Sequence, residues 1–574
     1  MNDVLHKVDL CVVGGGLAGM AAAIAAARHG ARVALMHDRP VLGGNASSEI
    51  RMWICGAGGA NRETGIIEEI QLENLYRNSP PTYAVWDSIL YEFVRFEPNI
   101  TLLLNCTCCG AEMDGRRIRS VRGRQLTTET WHTVKSALFA DCSGDSVLAP
   151  LSGAEFRTGR EARAEFSEDI EPADADRKTM GMSCLIQAAE TNSPQAFIPP
   201  RWAHVYKSDD DLPLRKHDLG PTSNFWWIEL GGENDSIRDT EELRDELLKI
   251  AYGVWDHIKN RGEHSAENWV LDWVGFLPGK RESRRYVGDV IMNQNGVRAE
   301  GKNFDDIVAY GGWPMDDHHP AGFRYRDTPT IFHPAPSPYG IPYRCLYSRN
   351  VENLFCAGRN ISVSHAALSS TRVMATCAIL GQAAGTAAAI ACRGGMLPRD
   401  LYPDRIGELQ QALMEDDCYL PWQKRAMPEL TRRAKLSAST GDPEMLRNGV
   451  DRVVAQAENA WEGSLTDWIE YSLDKPALVR EARLVFDSSL IKRPMNMPCH
   501  RRLEPEKRAL PSTLMRDFRL EVHTPAGWQA AAAVKDNKRR MVRVSVNREA
   551  DAIRFYPERT WGAEKVRLFA WDIT

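Results

Sequence analysis

The apolar positions near the start of the chain form two short continuous runs with a stretch of small residues between them. VDLCVV (8–13) and ARVALM (31–36) are runs typical of buried strands. The intervening GGGLAGMAAAIAAARHG begins as a glycine-rich turn and continues as a helix of small residues. This order of strand, turn, helix and strand predicts the first βαβ unit of an α/β domain.

Similar apolar runs return further along the chain. TLLLN (101–105) is a strand run, hairpin-like pieces follow it, and ALFADCSGD (137–145) is another strand run. NLFCAG (353–358) then leads into a long small-residue helix, in which Gly381 and Gly385 would permit close packing. These segments predict a β-meander crossover and a late return of the chain to the first domain.

The C-terminal third changes to a period of two. Phe518, Leu520 and Val522 alternate with polar residues in DFRLEVHT, and MVRVSVNR repeats the pattern. We therefore expect an antiparallel β-sandwich over residues 434–574, preceded by a proline-punctuated linker with a short amphipathic helix over residues 397–433.

The first turn carries the glycines of a dinucleotide site. Gly14, Gly16 and Gly19 fit G-x-G-x-x-G, in which they serve the tight turn, the approach of the pyrophosphate and helix–strand packing. The following helix would direct its N-terminal amides at the diphosphate. Where such sites place an acid to bind a ribose, the chain has His37 and then Asp38. Either side chain can hydrogen-bond a ribose hydroxyl, and the alternative is that both are solvated loop residues.

A second glycine-rich segment, Gly43 to Ser48, follows too closely for another nucleotide fold and suits a flavin rather than a nicotinamide. Through several blocks in the same order, the sequence resembles the bacterial FAD-dependent oxidoreductase family, distant relatives of fumarate reductase flavoproteins. The resemblance covers roughly residues 8–395. It is carried by GGNASSE, GANRETGIIEEI, DCSGDSVLA, GAEFRTGREARAEF, GKRESRRYVGD, IPYRCLY and AGRNISVSHAALSSTRVMATCAILGQAAGTAA.

The resemblance implies an α/β fold with a glutathione-reductase-type FAD-binding Rossmann domain. This domain would comprise residues 1–150 and 346–396, with an α+β substrate domain inserted over residues 151–345. The strands after residue 434 resemble galactose-binding-like modules more weakly, and such a module would bind sugar, brace the catalytic part or mediate oligomers.

The resemblance also implies non-covalent FAD, because the Ser-His-type attachment site of fumarate reductase relatives is missing after the second strand. Those relatives usually place Asp after the glycine of the late strand, where this chain has Arg359. The residues expected to bind the cofactor are Gly14, Gly16, Leu17, Ala18, Gly19, His37, Asp38, Arg39, Gly43, Gly44, Asn45, Ser47, Gly144, Asp145, Gly358, Arg359 and Ala375.

Four residues are candidates for catalysis. The resemblance implies that His365 and Arg372 overlook the isoalloxazine. His365 would be a general base, and Arg372 would hold a carboxylate or polarised oxygen of the substrate or contact flavin O2. GGWPMDDHHPAG reads as a loop rich in acid–base groups, and His318 or His319 could replace His365 as the base. For each pair the alternative is a structural hydrogen bond or ion pair.

GKRESRR crowds four charged residues together. The simplest interpretation is an ion-pair cluster at a domain join, and the functional one is binding of the FAD diphosphate or an acidic substrate. We expect no metal, since adjacent histidines rarely hold one ion together and a suitably spaced third ligand is missing. Cys55 has no neighbouring cysteine on the same segment, which disfavours thiol–disulfide chemistry.

Composition narrows the remaining partners. The 574 residues are 43% hydrophobic and 26% charged with a net charge of -6, which gives no reason to expect nucleic acid or an anionic membrane. Thirteen cysteines without a regular spacing indicate reduced thiols. No apolar run looks long enough for a membrane span and the N-terminus enters a strand at once, so we expect a cytoplasmic protein with a small-molecule substrate. The electron acceptor stays unnamed and a homo-oligomer stays open.

Together these features predict an FAD-dependent oxidoreductase that takes a hydride from a C–H bond to flavin N5, the bond being a carbinol of a carbohydrate or related polyol. One alternative is a flavin-dependent double-bond reductase or desaturase of a carboxylated substrate. Another is a carbohydrate-binding or scaffold protein in which FAD is structural.

Overall fold

The computed structural model describes residues 2–262, 264–491 and 496–574. It divides into two compact units, each built from discontinuous parts of the chain. The first unit comprises Met1–Ala57, Pro80–Leu409 and Pro494–Lys507, and the second comprises Gly58–Ser79, Gln410–Arg493 and Arg508–Thr574.

This division differs from the expected linker and sandwich. The units separate inside the helix Ile406–Glu415, and the early segment Gly58–Ser79 belongs to the second unit. The short amphipathic helix that the sequence predicts in this segment forms here, and its apolar residues, such as Leu409 and Leu413, are fully buried. Short helices also form at Pro398–Leu401 and Glu429–Arg433.

A sheet with a parallel core and an antiparallel edge organises the first unit. Its longest parallel pairing joins the first strand, residue by residue from Asn2 to Val13, with the strand from Thr130 to Asp141. Two antiparallel strands precede Thr130–Asp141 in the chain and pair in series up to it, so the predicted β-meander crossover is confirmed. The order across the parallel part is Ile100–Leu103, Val33–Met36, Asn2–Val13, Thr130–Asp141 and Leu354–Cys356, and the meander strands are Cys106–Asp114 and Arg117–Gln125.

Two helices of small residues pack against each other beside this sheet. A Cβ added to Gly381 would lie 2.0 Å from the Ala18 carbonyl oxygen, and one added to Gly385 would lie 2.1 Å from that of Ala22. The backbones approach this closely only because both positions are glycine, as the sequence predicts. The two helices are Leu17–Arg28 and Met374–Gly394.

By length and composition, Met374–Gly394 could cross a membrane, contrary to the expectation from the apolar runs. However, 94% of its most apolar window is buried inside the fold, which is typical of a core helix. The other α-helices of this unit are Tyr83–Arg95, Leu148–Ser152, Arg163–Phe166, Thr240–Asp256, Gln294–Arg298 and His365–Thr371.

The inserted segment between the two parts of this sheet is α+β, with short antiparallel sheets around the helix Thr240–Asp256. Met315–His318 is one of its strands and pairs with Thr330–His333, although the sequence predicts a loop there. The remaining strands are Phe156–Arg157, Met182–Ser183, Ile186–Glu190, Glu229–Leu230, Trp269–Val274, Gly279–Lys280, Arg285–Tyr286, Ile307–Gly311 and Tyr339–Pro342.

The second unit is built on one antiparallel sheet. Phe518, Leu520 and Val522 are buried in its core while the residues between them are partly exposed, as the period of two predicts. The strands are Lys435–Ala438, Trp461–Ser464, Ile469–Phe486, Met515–Thr524, Gly527–Val534, Met541–Thr560 and Lys565–Ile573, and the helix Ile66–Arg77 belongs to the same unit.

Candidate active site

A cavity of about 540 Å³ lies at the carboxyl ends of the parallel strands, where α/β sheets generally bind their ligands. Gly14, His37, Cys142 and Gly358 line it, and each follows a different parallel strand directly or within two residues. Most of the residues predicted to bind the cofactor meet here. They are Gly14, Gly16, Leu17, Ala18, His37, Asp38, Arg39, Gly43, Gly44, Asn45, Gly144, Asp145, Gly358 and Arg359.

Three of the predicted cofactor residues lie outside the cavity lining. Ser47 bonds its own turn, since its hydroxyl donates to the Gly44 carbonyl at 2.7 Å. Ala375 is buried at the start of the long helix. Gly19 serves packing, because a Cβ there would lie 1.8 Å from the Gly14 carbonyl oxygen.

The glycines of the turn have different surroundings. Gly14 needs to be glycine for the fold, whereas Gly16 faces open space. Gly14 has φ +105°, and a Cβ on it would lie 2.5 Å from the Cys142 backbone. Gly16 has φ −68° and ψ 177°, and the nearest atom to its added Cβ is the Cα of Gly44 at 3.9 Å. A side chain at Gly16 would therefore occupy the cavity rather than disturb the protein around it.

His37 is held by the protein on both sides of its ring. Nδ1 accepts the Gly15 amide at 3.0 Å, and Nε2 donates to the Val41 carbonyl at 2.9 Å. Burial lowers the pKa of His37, consistent with a neutral ring in this arrangement. The imidazole therefore anchors the glycine turn instead of offering a free nitrogen to a ribose. Asp38 is exposed and lines the cavity, which leaves its carboxylate as the acid at this place.

Gly15 is a site residue that the sequence reasoning missed. A Cβ on Gly15 would lie 2.7 Å from Cγ of His37, so the contact between turn and ring requires glycine. The signal was present as the run of three glycines, Gly14 to Gly16, of which the motif accounts for only two.

Arg359, which stands where related flavoproteins have Asp, is paired with Asp145 on the cavity wall. Its guanidinium donates to the Asp145 carboxylate at 2.6 Å, and Lys280 donates to the other oxygen at 2.9 Å. Burial opposes the charge on Asp145, but Arg359 and Lys280 outweigh it and hold the pKa of that carboxyl below its ordinary value. The departure from the usual residue thus creates an ion cluster on the wall.

Elsewhere the cavity wall carries alternating charges, which we call the polar chain: Arg281, Glu229, His318, Asp316 and Arg372. Glu229 lies 3.3 Å from Arg281 and 2.7 Å from His318 Nδ1. Asp316 lies 3.2 Å from His318 Nε2 and 3.1 Å from Arg372. All members except Glu229 line the cavity, and Glu229 is buried behind them.

Local structure explains how the polar chain is assembled. Asp316 and His318 are two apart on a strand, so both face the same side of it, whereas Asp317 faces the other. Burial opposes the charge on both carboxylates, yet Arg281 and His318 lower the pKa of Glu229, and His318 and Arg372 lower that of Asp316. The carboxylates therefore stay ionised next to the imidazole.

The other two histidines predicted for catalysis lie outside the cavity lining. His365 is fully enclosed, with Nδ1 2.9 Å from Glu282 and Nε2 3.3 Å from Asp317. Although burial opposes its charge, Glu282 and Asp317 raise the pKa of His365 well above the ordinary value. The ring of His319 stacks on Tyr325, with centroids 3.6 Å apart. His318 and Arg372 are thus the predicted catalytic residues that the fold brings to the cavity.

Aromatic residues and two members of the polar chain were not foreseen as site residues. Trp226 lines the cavity and meets the His318 ring edge-on, with centroids 5.1 Å apart. Glu229 sits in the apolar run FWWIEL without a motif, so only the tertiary contact identifies it. Arg281 belongs to the GKRESRR cluster, but the sequence could not separate it from its neighbours. Further cavity residues that the sequence did not single out as site residues are Trp53, Trp313, Phe332, Cys106, Thr107 and Cys108.

Comparison with known proteins identifies the family of the chain. A family model described as FAD dependent oxidoreductase matches residues 9–413, more than half of the chain. A geranylgeranyl bacteriochlorophyll reductase-like protein from Thermoplasma acidophilum is 11% identical, covering 72% of this chain and 85% of its own, with a TM-score of 0.34. A family 32 carbohydrate-binding module of Streptococcus pneumoniae EndoD is 17% identical, covering 25% of this chain and 94% of its own, with a TM-score of 0.19. With TM-scores this low, the assignment depends on the family model.

Proposed function

The chain belongs to the FAD-dependent oxidoreductase family, and from this premise we propose that the enzyme oxidises a carbinol C–H bond of a neutral polyhydroxylated compound such as a carbohydrate. The observation that carries the proposal is the polar chain. It presents one imidazole to the cavity, orients that imidazole from behind with Glu229, and neutralises each arginine with an internal carboxylate.

The residues of the cavity fit FAD. The amides at the N-terminus of Leu17–Arg28 follow the glycine turn. Gly16, the second glycine of the G-x-G-x-x-G motif, leaves room there for a diphosphate. Asp38 would hold a ribose, and Gly43 to Asn45 form the second glycine-rich edge of the cavity. When bound, FAD supplies the acceptor for the two electrons that leave the substrate carbon.

His318 would receive the proton of the substrate hydroxyl. Its Nδ1 is fixed by the Glu229 carboxylate at 2.7 Å, the arrangement that keeps the other ring nitrogen directed at a substrate. In the free enzyme Nε2 lies 3.2 Å from the Asp316 carboxylate, which only accepts hydrogen bonds, so the ring acts as a base once a proton held in this contact has passed to Asp316. A hydroxyl that takes the place of this contact can give its proton to Nε2 while the C–H bond of the same carbon breaks, which converts the carbinol into a carbonyl.

The arginines favour a neutral substrate over a carboxylate. Arg281 faces Glu229 and also donates to the Ser183 hydroxyl at 2.9 Å. Arg372 donates to both the carboxylate and the carbonyl of Asp316. A substrate carboxylate would have to share either guanidinium with the carboxylate that already neutralises it, so the wall offers little uncompensated positive charge to an anionic substrate.

The test is anaerobic reduction of the purified holoenzyme by candidate substrates. The loss of the absorbance of oxidised flavin measures the reduction. A panel of neutral sugars and polyols is compared with hydroxy acids, and reduced enzyme is offered unsaturated carboxylates. We expect bleaching by a member of the neutral set. Reoxidation of reduced enzyme by an enoate would instead establish the double-bond reductase, and a flavin inert to every compound would favour a structural FAD.

Two adjacent histidines supply a matched pair of variants. His318→Asn should keep bound FAD and slow flavin reduction by about 10²-fold or more, since it removes the proton acceptor. His319→Asn removes a ring that lies outside the cavity lining and should stay within about twofold of the wild-type rate. Equal rates for the two variants would exclude His318 as the base.

A further inference from the structure

A second group of histidines lies in the inserted segment, apart from the polar chain. Asp209, His217, His257 and His264 bring one ligand atom each to within 4.8 Å of one another. Asp209 Oδ1 is 3.0 Å from His257 Nε2, 3.4 Å from His217 Nε2 and 3.6 Å from His264 Nε2. His264 Nε2 is 3.0 Å from His257 Nε2. Three imidazole nitrogens and a carboxylate oxygen therefore share one centre.

The outer side of two rings is already committed. His257 Nδ1 lies 3.2 Å from the Tyr206 carbonyl, and His217 Nδ1 lies 2.5 Å from the Arg215 carbonyl. A carbonyl oxygen only accepts, so each Nδ1 carries a proton and donates it. This is the outer contact that orients metal-binding histidines, and it leaves the Nε2 lone pairs directed at the common centre.

Hydrogen bonds among the four groups account poorly for this centre. Because both Nδ1 atoms donate outward, the Nε2 lone pairs of His217 and His257 face the acceptor oxygen of Asp209, which is repulsive. The two rings lie 5.1 Å apart, and the Asp209 side chain is 70% exposed. A divalent cation removes the repulsion, because it accepts a lone pair from every ligand at once.

We propose that Asp209, His217, His257 and His264 form a zinc site. Zinc takes four nitrogen and oxygen ligands at about 2.0–2.1 Å in a tetrahedron, whose ligand atoms are then separated by about 3.3 Å. Four of the six separations between ligand atoms, 3.0 to 3.6 Å, bracket that value, and all six are within 4.8 Å. Four protein ligands fill the coordination of zinc, so the site is structural rather than catalytic.

A histidine pair elsewhere in the chain shows what an ordinary contact looks like. His6 Nε2 lies 2.9 Å from His132 Nδ1, and one shared proton satisfies that pair. The zinc site differs because a carboxylate and a third ring converge on the same point. It also includes His257 at the start of a π-helical turn, His257–Arg261, a deviation from the α-helix that is frequent at functional sites.

The zinc would brace the wall of the active-site cavity. It joins Asp209 and His217, on the segment before FWWIEL (225–230), to the end of the helix Thr240–Asp256. The residue next to His217, Lys216, accepts a hydrogen bond from the Trp227 indole at 2.9 Å, and the neighbouring Trp226 lines the cavity. The ion would thus hold in place a side chain that faces the proposed substrate.

The decisive measurement is the metal content of untagged holoprotein purified without chelators and dialysed against metal-free buffer. We expect about one zinc per chain, and about one equivalent regained when stripped protein is titrated with ZnCl₂ against a chromophoric chelator. Substitution with CoCl₂ should give the ligand-field bands of tetrahedral cobalt at wavelengths longer than the flavin absorption. Zinc-free protein that takes up no ZnCl₂ would overturn the proposal.

Variants separate the proposed site from adventitious surface binding. His217→Ala should lose the stoichiometric zinc, whereas His204→Ala, whose ring instead contacts Glu246 on the exposed surface, should retain it. Since His217→Ala could fail to fold, Asp209→Asn provides a second variant at an exposed side chain and should weaken ZnCl₂ affinity by about tenfold or more. Unchanged zinc content and affinity in both ligand variants would show that the ion binds elsewhere and would refute the assignment.

Discussion

Gly16 gives the sharpest test of the cofactor site, because the structure predicts that a side chain there affects the ligand and not the fold. The residue precedes the helix Leu17–Arg28 at φ −68° and ψ 177°, a conformation open to any L-residue. The nearest atom to an added Cβ is Gly44 Cα at 3.9 Å, an ordinary contact. Gly16→Val should therefore fold and should fail to retain FAD.

The two effects differ enough in size to be separated. In the FAD-free protein, valine loses up to about 1 kcal/mol as a helix cap and regains about 0.4–1 kcal/mol by restricting the unfolded chain, so the net change should be within about 1 kcal/mol. In the wild type, FAD at 100 times its dissociation constant should add about 2.7 kcal/mol to the free energy of unfolding. The variant should show none of this added stability.

The assay compares thermal unfolding of wild type and Gly16→Val, each stripped of FAD and then with FAD added, together with the ratio of flavin to protein absorbance. We expect similar unfolding without FAD and a rise in Tm with FAD only in the wild type. A variant that remains yellow would refute the placement of the diphosphate at Gly16. A variant that is already unfolded without FAD would refute the claim that this glycine is required only by the ligand.

Three further changes test other parts of the first unit. Asp38→Ala should weaken FAD binding by about tenfold without lowering the Tm of FAD-free protein, since it removes an exposed carboxylate that would bind a ribose; equal FAD affinity by fluorescence titration would exclude that contact. Gly385→Ala should cost about 1–3 kcal/mol in denaturant unfolding because its Cβ would lie 2.1 Å from the Ala22 carbonyl, while Gly407→Ala, also in a helix but with open space around it, should be neutral or slightly stabilising; equal effects would contradict the helix contact. Burial raises the pKa of Glu171 from 4.5 to about 7, so its contribution to stability is complete below about pH 4.5 and disappears as the pH rises through 7, a difference of about 3 kcal/mol. Glu171→Gln should flatten the fall of Tm between about pH 4.5 and 7, and an unchanged fall would assign it to other groups.

The order of the elements around the parallel sheet is determined by local pattern. The runs at 8–13, 31–36 and 137–145 predict strands because a strand buried on both faces is continuously apolar. Gly381 and Gly385 predict a close helix contact because only glycine lets two backbones approach so closely, and the structure confirms it. The FAD family is likewise carried by short motifs whose residues are neighbours in sequence.

The division of the chain into units was harder to predict. The pattern of residues 397–433 predicts a linker with one short helix. In the folded chain, the apolar side chains of this segment are buried, and this burial makes the segment structured. The assignment of Gly58–Ser79 to the second unit has no local signal, because it depends on contacts with residues hundreds of positions away.

By itself, the sequence determined the fold class, the glycine turn and the presence of acid–base groups in GGWPMDDHHPAG. Tertiary structure decided which of those groups face the cavity. Pairing of Met315–His318 with Thr330–His333 makes this segment a strand, so Asp316 and His318 face one way and Asp317 the other. Glu229 then selects His318 as the oriented ring, and Glu282 and Asp317 enclose His365. The physical reason is that a side chain's proton chemistry depends on its partners in space, and here those partners lie up to 89 residues away.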